Sequence, residues 1–222
     1  MEKQGLKTGI EIAQGPTHDE INRITAEQHC SLIVIGSRGK NLSSQILLGG
    51  VASEVVRHAR QPVLLVRITL SREKDSEICS VCRMDPARHI LFPTNFSAQA
   101  ETVFNTLKKM VAAGSKEVTL FHVLNRSELD KNLLEDSRQS IREKLSLMQR
   151  ELEAIAPVRV NVETPDGEPD REILTRVQDS TFSLIVFSSR RSGYLSEIFA
   201  GSISRKVIRN SQIPVLLIPT EQ

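Results

Sequence analysis

A glycine-rich loop follows the apolar run SLIVI in the first part of the chain. Gly36, Gly39 and Gly49 stand at the spacing Gly-x2-Gly-x9-Gly, and Ser37 and Arg38 lie between the first two. Glycine lets backbone N–H groups approach a phosphate closely, and the positive dipole end of a following helix attracts an anion. Ser37 and Arg38 would add a hydroxyl and a cation beside the phosphates. The loop is therefore either a phosphate cradle or a tight turn that leads out of a strand.

The elements that would position this loop occur twice in the chain. Residues 15–67 align without a gap with residues 167–219, at a constant offset of 152. Each copy has a short β segment, an amphipathic helix, an apolar strand, a polar loop, a second helix and a final strand after a proline. Runs such as SLIVI and PVLLV are typical of strands that are covered on both faces in a parallel sheet. The repeat predicts an α/β fold of βαβ units.

The two copies differ in length, and this difference sets the predicted domains. Residues 89–222 make a complete five-stranded domain, whereas residues 1–68 lack the opening β-α-β and most of the helix that follows. Residues 69–88 are polar and charged without an apolar period, which predicts a linker. The complete copy opens with a strand at 89–97, a helix at 98–113, a strand at 117–124 and a helix at 133–154.

Both halves resemble the universal stress protein family. In members that bind nucleotide, a strand ending in Gly-x2-Gly-x9-Gly-(Ser/Thr) binds the phosphates and ribose of ATP. Gly36, Gly39 and Gly49 match that spacing, and Gly50 replaces the final Ser or Thr. The resemblance implies an open, mostly parallel five-stranded sheet between helices, with strand order 3-2-1-4-5, in one complete and one partial copy.

The second copy departs from the family motif at several positions. Ser188 and Arg191 replace two of the three glycines of the phosphate loop. On the nucleoside side, Asn95 replaces an aspartate, which keeps an acceptor oxygen and loses the charge, and Val123 matches a position that packs on adenine. The nucleotide-binding positions implied by the resemblance are Gly36, Ser37, Arg38, Gly39, Gly49, Gly50, Val51, Pro93, Asn95, Val123, Gly201 and Ser202.

Each copy thus holds one half of a family-type site. The first has the phosphate loop without the strands that supply the adenine half, and the second has the adenine half with an altered loop. The sequence is compatible with ATP or AMP in the first copy and firmly implies no cofactor. The strands that the first copy lacks would leave SLIVI with exposed apolar faces. We expect them either to be missing from the sequence as given or to be supplied by another subunit.

The remaining motifs support no catalytic or metal site. Cys79 and Cys82 form a C-x2-C in the predicted linker, which is either a pair of incidental thiols or half of a zinc or redox site. His122 lies in an apolar strand, which favours a histidine in the core or at its margin over a catalytic one. The chain contains no Ser-His-Asp order, H-E-x-x-H, Walker or kinase signature. We expect a protein that is not an enzyme.

Composition restricts the partners. A formal net charge of +2 gives no global field for nucleic acid, and no apolar run is long enough to span a membrane. We expect a cytoplasmic protein whose two copies associate through their final strands, residues 62–66 and 214–218, in antiparallel fashion as an internal pseudo-dimer, with a protein partner as a further option. Its function is either nucleotide-responsive stress regulation or protein–protein interaction without nucleotide.

Overall fold

The structure is a computed structural model that describes residues 7–37, 48–73, 76–81, 85–125, 134–178, 182–190 and 202–220. Helices and strands alternate along most of these ranges, as the repeat predicts. The first part of the chain contains α1 (Thr17–Glu27), β1 (Ile33–Gly36), α2 (Gly50–His58), β2 (Val63–Val66), β3 (Ile68–Glu73) and β4 (Ser76–Val81). The second part contains β5 (His89–Pro93), α3 (Ala98–Ala112), β6 (Glu117–Phe121), α4 (Leu134–Glu153), β7 (Arg159–Glu163), α5 (Pro169–Gln178), β8 (Leu184–Arg190), α6 (Ser202–Asn210) and β9 (Val215–Thr220).

Seven of these strands form one sheet, in the order β1-β2-β9-β8-β5-β6-β7. Within it, β7-β6-β5-β8-β9 reproduces the strand order 3-2-1-4-5, and its four strand pairs are parallel. The predicted α/β class is therefore confirmed. The predicted sheet of five strands is wrong in number, because β1 and β2 of the first copy extend it to seven.

The two copies join where their final strands meet. β2 pairs with β9 in antiparallel fashion, with Val63 opposite Leu217 and Leu65 opposite Val215. Leu65 and Leu217 occupy the same position in the repeat, and both are fully buried in one apolar cluster. The segments 62–66 and 214–218 thus pair inside a single chain, while association between chains stays a prediction. Because the joint is antiparallel, β1 and β2 point opposite to β9, β8, β5, β6 and β7.

The predicted short β segment of the first copy is absent from the described structure. Residues 7–14 form no regular secondary structure, whereas the equivalent stretch of the second copy is β7, which pairs with β6. No described strand of the first copy lies beside residues 7–14, so a strand there would leave its backbone N–H and C=O groups without ladder partners. Ile10 and Ile12 are consequently 96% and 93% exposed.

The segment predicted as an irregular linker contains a β-hairpin. β3 and β4 pair in antiparallel fashion from Ile68 opposite Val81 to Glu73 opposite Ser76. The strand sequences ITLSRE and SEICSV carry β-branched residues and are separated by only two residues, which favours a hairpin despite their charges. Cys79 lies in β4, and Cys82 lies outside the described residues.

The core is divided between the two faces of the sheet. One cluster packs α2, α5 and α6 against the sheet and includes residues of both copies, such as Val55, Leu65 and Val207. The other packs α3 and α4 against β5, β6 and β8. No helix within the described ranges is both long enough and apolar enough to cross a bilayer.

Candidate functional site

A cavity of about 270 Å³ opens at the carboxyl ends of β5, β6 and β8. The chain leaves β5 toward β6 on one side and reaches β8 on the other, so the cavity lies at the point where the strand order reverses. In open α/β sheets this is where ligands bind. The cavity belongs to the second copy alone, since all of its described lining residues come from this copy.

One wall of the cavity holds three of the predicted nucleotide-binding positions. Pro93 ends β5, Asn95 follows it, and Val123 lies just beyond the end of β6. The Oδ1 atom of Asn95 accepts hydrogen bonds from the backbone N–H of Ser97 at 3.2 Å and from its hydroxyl at 2.7 Å. Because both lone pairs of this oxygen are used, Asn95 offers a ligand its NH₂ group rather than the acceptor that the sequence predicts.

The same hydrogen bonds tie this wall to α3. Ser97 is the N-cap of α3, and its side chain accepts a hydrogen bond from the backbone N–H of Ala100. Capping by serine satisfies one of the backbone donors that the first turn of a helix leaves without a partner. Asn95 is therefore held by the start of α3, whose inner face is buried, and presents a fixed surface to the cavity.

His122 is also part of this wall and links it to Thr94 and Phe96, a role that its place in the apolar strand did not reveal. Its Nδ1 donates a hydrogen bond to the backbone C=O of Thr94 at 2.8 Å, and its ring stacks on Phe96 at 4.8 Å. Phe96 has a φ of 58°, a conformation that is uncommon for an aromatic residue. Burial lowers the pKa of His122, and its hydrogen bond to Thr94 opposes this effect. The ring is therefore neutral at pH 7.

The opposite wall brings a helix N-terminus to the cavity. Ser188 near the end of β8 and Ile203 and Ser204 in the first turn of α6 line it. The first turn of a helix has backbone N–H groups without intrahelical partners, and the positive end of the helix dipole lies there. Ser202 begins α6, whereas Arg191 and Gly201 lie outside the described residues. This wall is suited to an anion such as a phosphate.

The described ends of the glycine loop of the first copy lie at the other end of the sheet. Gly36 ends β1, Ser37 is fully buried, and the N–H of Gly49 donates to the C=O of Ser37 at 3.0 Å. Gly49 is the N-cap of α2, and Gly50 and Val51 begin this helix. Arg38 and Gly39 lie outside the described residues.

The antiparallel joint separates these two sets of predicted positions. β1 runs opposite to β5, β6 and β8. The carboxyl end of β1 and the cavity therefore lie at opposite ends of the strands of the sheet. The phosphate loop of the first copy and the nucleoside wall of the second copy therefore do not complete each other within the chain. The sequence suggests that Ser37 offers its hydroxyl to a phosphate. In the structure Ser37 is fully buried, so its hydroxyl does not face solvent.

Comparison with known proteins agrees with this architecture. The model of the universal stress protein family matches residues 1–67 and 86–219. Universal stress protein MJ0577 of Methanocaldococcus jannaschii is 26% identical over 153 residues, which cover 59% of this chain and 94% of that protein. Universal stress protein G of Escherichia coli O157:H7 is 47% identical over 53 residues, which cover 24% of this chain and only 37% of that protein.

Solved structures show the same fold. A crystal structure of a universal stress protein from Archaeoglobus fulgidus has a TM-score of 0.63 at 24% identity, and covers 91% of this chain. This chain spans 66% of that protein's length. The structure of MJ0577 has a TM-score of 0.53 at 27% identity, and covers 62% of this chain and 99% of that protein.

Proposed function

This chain belongs to the universal stress protein family, and we propose that its second copy binds an adenine nucleotide at the carboxyl ends of β5, β6 and β8. One observation carries the proposal, namely that a single cavity borders both the wall of Asn95 and Val123 and the first turn of α6. The base and ribose would contact Asn95 and Val123. The phosphates would then lie at the helix N-terminus, where N–H groups favour an anion.

The proposed role of the nucleotide is regulatory. Among the described residues that line the cavity, His122 is the one titratable side chain, and its Nδ1 hydrogen is donated to Thr94. These lining residues include no carboxylate that could act as a general base or bind a metal ion. The nucleotide would therefore alter assembly or partner affinity without being hydrolysed, and the protein would act in stress resistance as a regulator.

The proposal moves nucleotide binding from the first copy to the second. The sequence favours the first copy because three glycines stand in its loop. Adenine binding also needs a wall beside the loop, and the second copy has such a wall in the cavity that Asn95 and Val123 line. ATP or AMP in the first copy would need strands that the described part of the chain does not supply.

A matched pair of substitutions tests which copy binds. Val51 and Ile203 occupy the same repeat position, as the second residues of α2 and α6. An aspartate there would repel phosphate and weaken the favourable end of the helix dipole. We expect I203D to weaken the binding of ATP or AMP about tenfold, or about 1.4 kcal/mol, and V51D to leave it unchanged in calorimetric titration. The reverse result would place nucleotide in the first copy and overturn the proposal.

A second substitution should improve binding. N95D keeps an oxygen that accepts from Ser97 and adds a charged oxygen that can accept from ribose hydroxyls. Charge-assisted hydrogen bonds are stronger than neutral ones. We expect N95D to bind adenosine or AMP several-fold more tightly than the unaltered chain, measured by the same titration. Equal or weaker binding would contradict the proposed contact between Asn95 and the nucleoside.

Interaction without nucleotide is the second candidate function, and the open margin of the sheet favours it. β1 is the outermost described strand on its side, so its outer edge has no strand partner among the described residues, and the sheet face beside this edge exposes Leu32 and Val34 at 41% and 60%. Such an edge is a surface to which another chain can add a strand. Mass identification of ligand extracted from protein purified without added nucleotide separates the two functions, since only the first predicts ATP or AMP near one per chain.

A further inference from the structure

Two histidines and a glutamate form a cluster between α1 and α2, away from the nucleotide cavity. His18 lies in the first turn of α1, while Glu54 and His58 lie one turn apart on α2. One ligand atom from each of the three side chains lies within 4.8 Å of the others. We infer that this cluster binds a divalent transition-metal ion, of which Zn²⁺ is the best match.

The donor set suits this class of ion. Two imidazoles and one carboxylate are ligands that Zn²⁺ uses in proteins, whereas Mg²⁺ and Ca²⁺ prefer oxygen ligands alone. The rings of His18 and His58 lie 5.0 Å apart, so a small closing movement brings them to one ion. The three side chains are 27%, 38% and 44% exposed, respectively for His18, Glu54 and His58, which gives an ion access from solvent.

A hydrogen bond prepares His58 as a ligand. Its Nδ1 lies 3.0 Å from the backbone C=O of Glu54. A carbonyl oxygen can only accept, so Nδ1 carries the hydrogen of the neutral ring and Nε2 keeps its lone pair. Histidines that bind metals commonly donate their other ring N–H to a carbonyl or carboxylate in this way.

Two carboxylates and one guanidinium are the charged groups at the cluster. Oδ1 of Asp19 lies 3.4 Å from Nε2 of His18, which adds a second carboxylate beside the ligands. Nη1 of Arg57 lies 3.6 Å from Oε1 of Glu54, beyond the distance of a strong hydrogen bond. The Glu54 carboxylate therefore keeps the capacity to bind a cation.

The second copy shows why a cation fits at this place. His18, Glu54 and His58 correspond in the repeat to Asp170, Lys206 and Asn210. There the ammonium of Lys206 lies 2.8 Å from Oδ2 of Asp170 and links α6 to α5. In the first copy Glu54 replaces this lysine and His18 replaces the aspartate. The equivalent pair of helices therefore has metal-binding side chains at the place where the second copy has the ammonium group of Lys206.

A bound ion would fasten a helix that packing holds weakly. None of the residues of α1, all of which the structure describes, is fully buried. Because Glu54 and His58 both belong to α2, an ion bound to them and to His18 would link α1 to the core. The ion binds the folded form preferentially and so raises its thermal stability by mass action.

Calorimetric titration of the full chain with zinc chloride, after removal of bound metal, tests this inference. We expect about one ion per chain, and at least tenfold weaker binding in H18N, E54Q and H58N. The variant H18D/E54K/H58N carries the residues of the second copy, and should stay folded through an Asp–Lys pair and bind no zinc. H29N is the matched control, because His29 is an exposed histidine outside the cluster whose φ of 50° suits asparagine.

Two outcomes would overturn the inference. One is that the unaltered chain binds zinc no better than H18D/E54K/H58N. The other is that binding survives in E54Q and H58N and is lost in C79S/C82S, which would assign zinc to the cysteine thiols. A zinc-dependent rise in melting temperature that is present in H29N and absent in H58N would support the inference by a second measurement.

Discussion

The same four residues, Ser-Leu-Ile-Val, begin at residue 31 in the first copy and at residue 183 in the second, with opposite environments. Val34 is 60% exposed, while its counterpart Val186 is fully buried. Leu32 and Leu184 differ in the same way, at 41% and 1% exposed. The other face of both strands is covered, since Ile33 and Ile185 are both buried.

The difference in exposure is explained by the helices that pack on the face of Leu184 and Val186. α3 and α4 pack over Leu184 and Val186 in the second copy, and no described helix of the first copy corresponds to them. A continuous apolar run therefore predicts a strand that can be covered on both faces, but its neighbours decide whether it is. The expectation that the first copy exposes apolar strand surface is confirmed at Leu32 and Val34.

The largest expected effect on the free energy of unfolding comes from placing a charge at Val186, and the same substitution at Val34 tests the difference between the two strands. V186D would place an unpaired charge in the core, and should lower the free energy of unfolding by at least about 3–5 kcal/mol. V34D should change it by less than about 0.5 kcal/mol, as surface substitutions do, and should reduce aggregation at the open face. Urea unfolding followed by circular dichroism measures both. Comparable losses in the two variants would mean that the face of β1 is covered.

The joint between the copies should respond symmetrically. Leu65 and Leu217 are fully buried in one cluster, so L65A and L217A should each lower the free energy of unfolding by about 2–5 kcal/mol. Both variants should unfold in a single transition, because the cluster contains residues of both copies. A separate early transition in L65A alone would show that the first copy unfolds independently.

The pH dependence of stability should belong to the second copy. Burial lowers the pKa of both His89 and His122, although Glu117 opposes this effect at His89. Below about pH 6.5 the unfolded chain binds protons that the folded chain does not, so stability falls as the pH falls. Each histidine contributes at most about 1.4 kcal/mol per pH unit.

Removing the titrating groups tests this assignment. H89Q and H122N each replace a ring nitrogen that lies near a hydrogen-bonding oxygen, at Thr119 and Thr94 respectively. In the double variant the slope of stability against pH between 6.5 and 5 should become shallower in chemical denaturation. An unchanged slope would assign the dependence to other groups.

The smallest expected effect concerns the start of α2. Gly50 is its first residue, where the second copy has Ser202, and a Cβ added at Gly50 would have no atom within 4 Å. G50A should therefore raise the free energy of unfolding by roughly 0.4–1 kcal/mol, since it restricts the unfolded chain. G167A is the contrasting control. It should destabilise, because Gly167 has a φ of 152° and a Cβ there would lie 2.6 Å from Oε1 of Glu172.

Much of the fold could be predicted because its signals are local. Apolar runs, helical periods and the proline before each final strand predicted the order of elements, and the family resemblance predicted the strand order of the second copy. The hairpin of β3 and β4 escaped prediction because its charged residues hide a short β pattern. The lost strand near Ile10 and Ile12 depends on a pairing partner, which no local pattern reports.

The candidate site also has a part that the sequence predicts and a part that only the fold reveals. Pro93, Asn95 and Val123 follow from the family resemblance, and they lie together on one wall. The end of β1, where the glycine loop begins, lies at the opposite end of the strands from this wall because the joint between the copies is antiparallel. The cluster of His18, Glu54 and His58 was missed because its members belong to two helices that only folding brings together. Comparison of the aligned repeat positions, where Asp170 and Lys206 carry opposite charges, is the signal that could have found it.

The β2–β9 joint also changes how the molecule behaves on dilution. Two separate chains joined by such an interface would come apart at low concentration, and their stability would depend on how much protein is present. Here a covalent connection holds the two surfaces at a high effective concentration. Docking of the first copy is thereby an intramolecular folding step, and the midpoint of unfolding is set by the chain itself rather than by its abundance in the cell.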